Sequence, residues 1–581
     1  MSPHTILDGG CWRTGPIHYR IVPISENLMR IQSLLPIAVG CLAVFFAHGQ
    51  TSAPVALTGL VTSQEEGAME GVLVSAKKVG STITTTVVTD QDGRYRFPRS
   101  RLEPGQYTLR IRAVGYDLED PGPLEIAQTK TAAADLKLHR AKDLASQLSN
   151  GEWIMSARGT EDQKSSLLNC VNCHTLQLIV RSHHDSAEFQ KVLERMGNYA
   201  NQAFPLHPQK RLADRVMEVH GEARDRARQQ QAAFLSSINL SSGPVWAYDL
   251  KTLPRPKGKA TQAIFTEYDL PRKTIEPHDA VVDSQGLVWF SNFGEQRLGK
   301  LDPQTGKVTE YDVPELKPGS PTGALALRLD QQENPWLGMM FQGGIAKFDR
   351  KTESFQSWSV PPEFNKPMTQ INMVSPERSA VDGKVWTQNN GFAIIHRVDL
   401  ATGNVETFEP FKGAKEGEAH NIYDVIPDSH NNLYFTDFAN EHIGRIDAKT
   451  GKISLYPTPT RRSAPRRAQM DSQDRLWIGE YRGNRIALFD TKTEQFTEWE
   501  APSPYSAPYD VTLDRNGNAW TGSMSNDRVL RLNPKTGEMT EYLLPRPTNI
   551  RRVFVDNSTT PVSFWVGSNH GASIVKLEPL E

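Results

Sequence analysis

From residue 262 onward, apolar and polar residues alternate in short runs separated by Gly, Asp and Asn, the period-two pattern of strands with one buried face. The pattern itself repeats with a period in the forties. An aromatic anchor returns seven times, at Trp289, Trp336, Trp386, Tyr434, Trp477, Trp520 and Trp565. Thirteen residues after each of these except the last comes a second anchor, as in Asp302-Pro303-Gln304-Thr305-Gly306, Asp447-Ala448-Lys449-Thr450-Gly451 and Asn533-Pro534-Lys535-Thr536-Gly537, which reads as a hairpin turn between outer strands. In the first unit the pattern predicts strands over 278–283, 287–293, 298–302 and 307–313. Seven units of four strands predict a seven-bladed propeller. The segment Phe265-Thr266-Glu267-Tyr268-Asp269-Leu270-Pro271 copies the outer strand Val308-Thr309-Glu310-Tyr311-Asp312-Val313-Pro314 yet precedes the first unit, so it should complete the seventh blade and close the ring.

Upstream the pattern changes twice. Residues 55–138 alternate in shorter runs and predict a small β-sandwich. The stretch Thr89-Asp90-Gln91-Asp92-Gly93-Arg94-Tyr95-Arg96-Phe97, with Leu102-Glu103-Pro104-Gly105-Gln106-Tyr107-Thr108-Leu109 and Gly115-Tyr116, resembles the carboxypeptidase regulatory-like domain, which implies a transthyretin- or Ig-like fold, an accessory role and kinship with carbohydrate-binding folds. Asp90 and Asp92 read as a hairpin turn rather than a calcium site. Residues 140–240 are rich in Gln, Arg, Lys, Ala and Leu and predict helices over 141–155, 186–199 and 210–238. The expected division is an extension with a signal peptide (1–49), the sandwich (50–139), a helical domain (140–240), a linker with Pro244, Pro254 and Pro256 (241–261) and the propeller (262–581). The fold class is multidomain and mainly β.

Met29-Arg30, the apolar run 34–46 and Ala47-His48-Gly49 fit a bacterial secretory signal peptide starting near Met29, which places the mature chain in the periplasm or outside the cell. The run is too short for a span, so no membrane span is expected after cleavage. Balanced charge, 65 basic against 67 acidic residues, argues against nucleic acid as a partner.

The chemistry centres on Cys170-Val171-Asn172-Cys173-His174. Four cysteines occur, and Cys11 and Cys41 lie in the exported leader, so the mature chain spends both remaining thiols in this motif. Cys-x-x-Cys-His is the spacing that attaches haem c through two thioethers, with His174 ligating the iron. Zinc would need further ligands, yet there is no second Cys pair and His183 and His184 are adjacent; a thiol-disulfide centre would sit in a βαβ pattern that is absent. Met196 is the expected sixth ligand because Gly197 can end its helix and turn the chain toward the iron, with Met217, His207 and His220 as rivals. The ending Ala232-Ala233-Phe234-Leu235-Ser236-Ser237-Ile238 resembles the last helix of class I cytochromes c, which implies a small cytochrome module.

In the propeller, antiparallel pairing gathers the start of each inner strand and the end of the next strand on one face. This predicts a mouth ring of Asn292, Met339, Asn389, Asp437, Glu480, Ser523 and Ser568, with His278, Tyr423, Arg466 and Tyr509 nearby. The repeats Gly286-Leu287-Val288-Trp289-Phe290-Ser291-Asn292, Ile443-Gly444-Arg445-Ile446-Asp447 and Thr540-Glu541-Tyr542 resemble the virginiamycin B (streptogramin) lyase family. That resemblance implies magnesium-dependent elimination with a His base. Glu276-Pro277-His278 matches the family's Glu-x-His element, but Asn292 stands where a second metal-binding Glu belongs. Glu418-Ala419-His420 with Asp437 offers a displaced acidic site, and Glu480 in the neighbouring unit is a further candidate ligand for Mg²⁺ or Ca²⁺. The candidate catalytic residues are therefore Glu276, His278 and His420.

The sequence thus predicts an exported haem c protein that couples electron transfer to a propeller binding a small-molecule substrate or a redox partner protein, with a glycan as a further candidate. The alternatives are a metal-dependent C–O lyase and a noncatalytic periplasmic binding protein.

Overall fold

The computed structural model describes residues 54–214, 219–415 and 418–580. The signal segment, Cys11, Cys41 and Met217 lie outside the described residues. Among the described residues, no helix is long and apolar enough to cross a membrane.

The repeats fold into four-stranded antiparallel sheets. Blade 1 comprises Pro277–Val282, Val288–Asn292, Arg297–Leu301 and Val308–Asp312, and blades 2 to 6 follow in the same order. Blade 7 takes three strands from the C-terminal end, Ile550–Asp556, Ser563–Ser568 and Ser573–Pro579, and its fourth from Ala263–Asp269, which pairs in register from Ala263 opposite Pro579 to Asp269 opposite Ser573. The ring therefore closes as the sequence predicts.

The repeated turn chemistry explains the aromatic anchors. In blade 6, Asp514 Oδ1 accepts the Asn516 and Asn518 amides at 2.8 and 3.0 Å. Its Oδ2 accepts the Trp520 indole at 2.9 Å. One carboxylate thus fixes the turn and satisfies the only polar atom of a fully buried ring. Asp283, Asp330 and Asp471 do the same for Trp289, Trp336 and Trp477.

The sandwich packs Leu57, Val61, Val74, Tyr95, Phe97, Leu109 and Leu136 between its sheets. Asp90 Oδ1 accepts the Asp92 and Arg94 amides, as its reading as a turn requires. The sandwich does not end at its own edge. Strand Ile83–Val88 pairs antiparallel with Ala263–Asp269, from Ile264 opposite Val87 to Tyr268 opposite Ile83, so one sheet runs through blade 7 into the sandwich. Buried Asp527 receives Arg112 at 2.6 Å and ties the sandwich to blade 6 as well.

The helices are shorter than predicted. The first begins at Asn150 because Ser149 and Glu152 form a capping box, and the long one runs only over Gly221–Ile238, with Gly221 itself at φ 61°. Ser186–Gly197 is set by another such box, Asp185 with Glu188. Trp153, Leu167, Leu168, Val171, Phe189, Phe234 and Leu235 form the module's core, which is continuous with Phe293, Met340, Tyr481, Tyr509 and Met524 of the propeller.

Asp514→Ala should lower stability by about 2–3 kcal/mol, because it orphans a buried indole as well as two turn amides. Urea unfolding followed by tryptophan fluorescence reads this; a midpoint within error of the parent's would refute the role assigned to Asp514.

Candidate functional site

The inner strands of five blades begin with the same two-residue register: His278-Asp279, Tyr423-Asp424, Arg466-Arg467, Tyr509-Asp510 and Arg551-Arg552. The second residues build a buried ion network. Arg467 donates to both oxygens of Asp279 at 2.7 and 3.0 Å, Arg328 of blade 2 to Asp424 at 2.6 Å, and Arg552 bridges Asp279 at 3.4 Å and Asp510 at 3.5 Å. Charges this deep persist only when paired. Burial raises Asp510 to about 6 despite Arg467 and Arg552.

The first residues build the mouth. His278 Nε2 lies 3.1 Å from the Tyr509 hydroxyl, which bonds the Tyr423 hydroxyl in turn, while His278 Nδ1 meets Asp279 at 2.8 Å. The Arg466 guanidinium lies 4.0 to 4.9 Å from the rings of Tyr509, Tyr481, Phe438 and Tyr423, an aromatic cage. Burial pushes His278 down to about 3, against the pull of Asp279. The expected convergence of His278, Tyr423, Arg466 and Tyr509 is thus observed, and Arg551 is the member sequence reasoning missed. The dipeptide register that pairs it with the others was the available signal.

This mouth is covered by the Cys-x-x-Cys-His loop. Asn549 Nδ2 donates to the Val171 carbonyl at 3.0 Å, Arg551 Nη2 to the Asn172 carbonyl at 2.6 Å, and Arg466 Nη2 to Asn172 Oδ1 at 3.3 Å. Tyr481 donates to the Leu168 carbonyl at 3.2 Å. Gln209 and Asn201 extend the cover over blades 1 to 3 through Gly294, Thr322 and Gln370.

Two features of the loop suit a covalently held haem. Cys170 and Cys173 form no disulfide among the described residues. His174 Nδ1 lies 2.9 Å from the Thr175 carbonyl, so the Nδ1–H tautomer donates there and leaves Nε2 for a metal. A cavity of about 450 Å³ opens beside Cys170, but it is lined by Glu194, Asp214, Arg224 and Arg228 as well as Leu193 and Ala227, and neither Cys173 nor His174 is among its lining residues. Met196 is half-buried in the last turn of the helix that supplies Leu193 and Gly197. His207 packs on Phe204, and His220 is exposed beside Asp214.

The acidic candidates sit differently. Asn292, Asn389, Asp437 and Ser523 end their strands as expected, but Asn292, Asn389 and Asp437 accept the amides of Glu276, Gln370 and Asn421, and Ser523 donates to the Ser506 carbonyl. These four members of the ring are spent on loop backbone. His420 stacks on Phe411 and meets Asp437 at 2.7 Å and Glu418 at 3.9 Å, while Glu480 lies in blade 5 beside Glu498. Glu276 is buried with one oxygen unpartnered. Among the described residues, no group of three His, Cys, Asp or Glu side chains is placed to hold a metal ion.

The comparisons with known proteins fall on the two β parts. Residues 318–579 match the virginiamycin B lyase family and residues 56–139 the carboxypeptidase regulatory-like domain. The first match starts after blade 1, so Glu276, His278 and Asn292 lie outside it. Virginiamycin B lyase from Staphylococcus aureus is 22% identical at a TM-score of 0.46, covering 54% of this chain and 99% of that one. A streptogramin B lyase structure is 22% identical at 0.47, covering 55% and 99%. An extracellular domain assigned to a one-component system of B. thetaiotaomicron is 17% identical at 0.41, covering 54% and 40%. No curated protein matches the chain.

Burial, reinforced by Glu498, raises Glu480 to about 8 from an ordinary 4.5. The folded state therefore holds a proton that the unfolded chain has released between those values, and stability must fall as pH rises through that window, by about 4 kcal/mol at the upper end. Glu480→Gln should flatten the decline between pH 5 and pH 8 in chemical denaturation; an unchanged slope would refute it.

Proposed function

We propose that the protein is an exported haem c electron-transfer protein whose propeller serves as the seat of the haem-bearing loop. The observation that carries this reading is the docking of Val171 and Asn172 on Asn549, Arg551 and Arg466, which commits the propeller's mouth to the loop. The haem, when bound, supplies a one-electron centre. The protein's own part is to hold the loop on a rigid base, to orient His174 through the Thr175 carbonyl, and to keep water from the buried face of the motif. A redox partner protein is the natural counterpart, and it would approach the side of the module that carries the Cys170 cavity.

The lyase reading has the family match in its favour. The geometry weighs against it, because His278 is enclosed, Asn292 is occupied by backbone, and the mouth is capped.

Expression in a bacterium able to mature cytochromes should yield one covalent haem per chain by mass and by peroxidase stain, and Cys170→Ser with Cys173→Ser should abolish it. A haem-free parent chain would overturn the reading. Millimolar Mg²⁺ or Ca²⁺ should leave the unfolding temperature unchanged within a degree; a marked rise would restore the lyase alternative.

A further inference from the structure

The sheet that the sandwich shares with blade 7 has one apolar and one polar face. Strand Leu73–Lys78 pairs with Gly105–Arg112, Arg110 opposite Ser75 and Thr108 opposite Lys77, and on its other side with Ile83–Val88, which sets Lys77 opposite Thr84. Thr84 in turn stands opposite Glu267 of the propeller's closing strand. Cross-strand partners share a face, as do residues two apart, so Arg110, Arg112, Lys77, Thr84, Glu267 and Asp269 project to one side while Val74, Ala76 and Leu109 fill the sandwich core on the other.

Such a polar face can stand open to water. Here it is bordered. Pro545, Arg546 and Pro547, on the connection from blade 6 to blade 7, face it from one side, and Val114 and Gln147 from another, leaving a cavity of about 340 Å³. Small-molecule sites usually measure about 300–1,000 Å³. The two prolines stiffen their wall and leave no backbone N–H to satisfy.

The charges on the cavity wall do not balance. Four cations line it, Lys77, Arg110, Arg112 and Arg546, against two carboxylates, Glu267 and Asp269. Asp269 takes Lys77 at 2.5 Å and Arg546 at 2.6 Å, and Glu267 takes Arg546 at 2.7 Å. Arg112 reaches outside the cavity to Asp527 at 2.6 Å. Arg110 is left over, with no hydrogen bond or ion pair among the described residues, so three carboxylates serve four cations and the wall is one anion short.

We propose that this cavity between sandwich and propeller binds a small organic monocarboxylate, its anionic group paired with Arg110 and its body laid against Val114, Pro545 and Pro547. The guanidinium fork matches a carboxylate in a bidentate pair, and one uncompensated cation suits a single negative charge. Because Lys77, Arg110 and Arg112 come from the sandwich and Asp269 and Arg546 from the propeller, the ligand would touch both sides of the joint. The site is separate from the propeller's mouth, and its test does not depend on haem.

The test is titration calorimetry of the full-length protein with benzoate, and with benzamide as the uncharged molecule of the same shape. Benzoate should bind in the millimolar range or tighter, and benzamide about tenfold more weakly. Arg110→Gln, at an exposed position, should keep the parent's unfolding temperature and lose benzoate affinity by about the same factor. Thr108→Trp, which fills the cavity from a second exposed position on its wall, should abolish binding. Lys137→Gln, which removes an exposed charge elsewhere on the sandwich, should change nothing. The proposal is overturned if benzoate gives no saturable heat, if benzamide binds as well, if binding survives Arg110→Gln or Thr108→Trp, or if Lys137→Gln weakens it equally.

Discussion

The bidentate contact between Arg467 and Asp279 is the interaction on which the propeller's centre depends. At the centre of the ring this chain places guanidinium and carboxylate groups from six blades. Each charge is costly to bury alone and tolerable only because its neighbours are already there. Removing one partner would leave another uncompensated, so blades that never exchange a backbone hydrogen bond are energetically joined. The same network supplies a stiff floor for the residues one position earlier on each strand, which are the ones that meet the helical module.

That floor gives the mouth its character. Arg466 carries a full charge into a place with no carboxylate partner among the described residues, and the electron-rich faces of four aromatic rings together with the Asn172 side chain offset its desolvation. Arg551 finds a backbone carbonyl. Two cations that both bond the loop make the loop part of the propeller's electrostatics.

Much of the architecture was legible in the sequence because it rests on local rules. The blade count followed from the aromatic anchors and the Asp turns, each of which works within a few residues. Closure was legible because Phe265–Pro271 repeats an outer strand out of place. The pairing of Ile83–Val88 with Ala263–Asp269 was not, since any edge strand can accept a neighbour and nothing in either segment names the other. The mouth was half legible: His278, Tyr423, Arg466 and Tyr509 followed from strand register, whereas the backbone-capping duty of Asn292 and Asp437 did not, because composition cannot say whether a carboxyl or amide oxygen faces a ligand or a loop. Helix lengths failed for a related reason. Favourable composition extends N-terminal to both Asn150 and Gly221, but the capping box at Ser149 starts one helix and the left-handed Gly221 starts the other.

The shared sheet bears on the order in which the chain can assemble. Strand Ala263–Asp269 has one neighbour made early, Ile83–Val88, and one made almost last, Ser573–Pro579. As the chain emerges from its N-terminal end, the finished sandwich already presents an edge on which this strand can settle, long before the seventh blade exists. The sandwich then serves as a template that fixes the first strand of the ring in space and covers an otherwise sticky edge while the remaining blades are laid down, until the C-terminal hairpin arrives and locks against the other side.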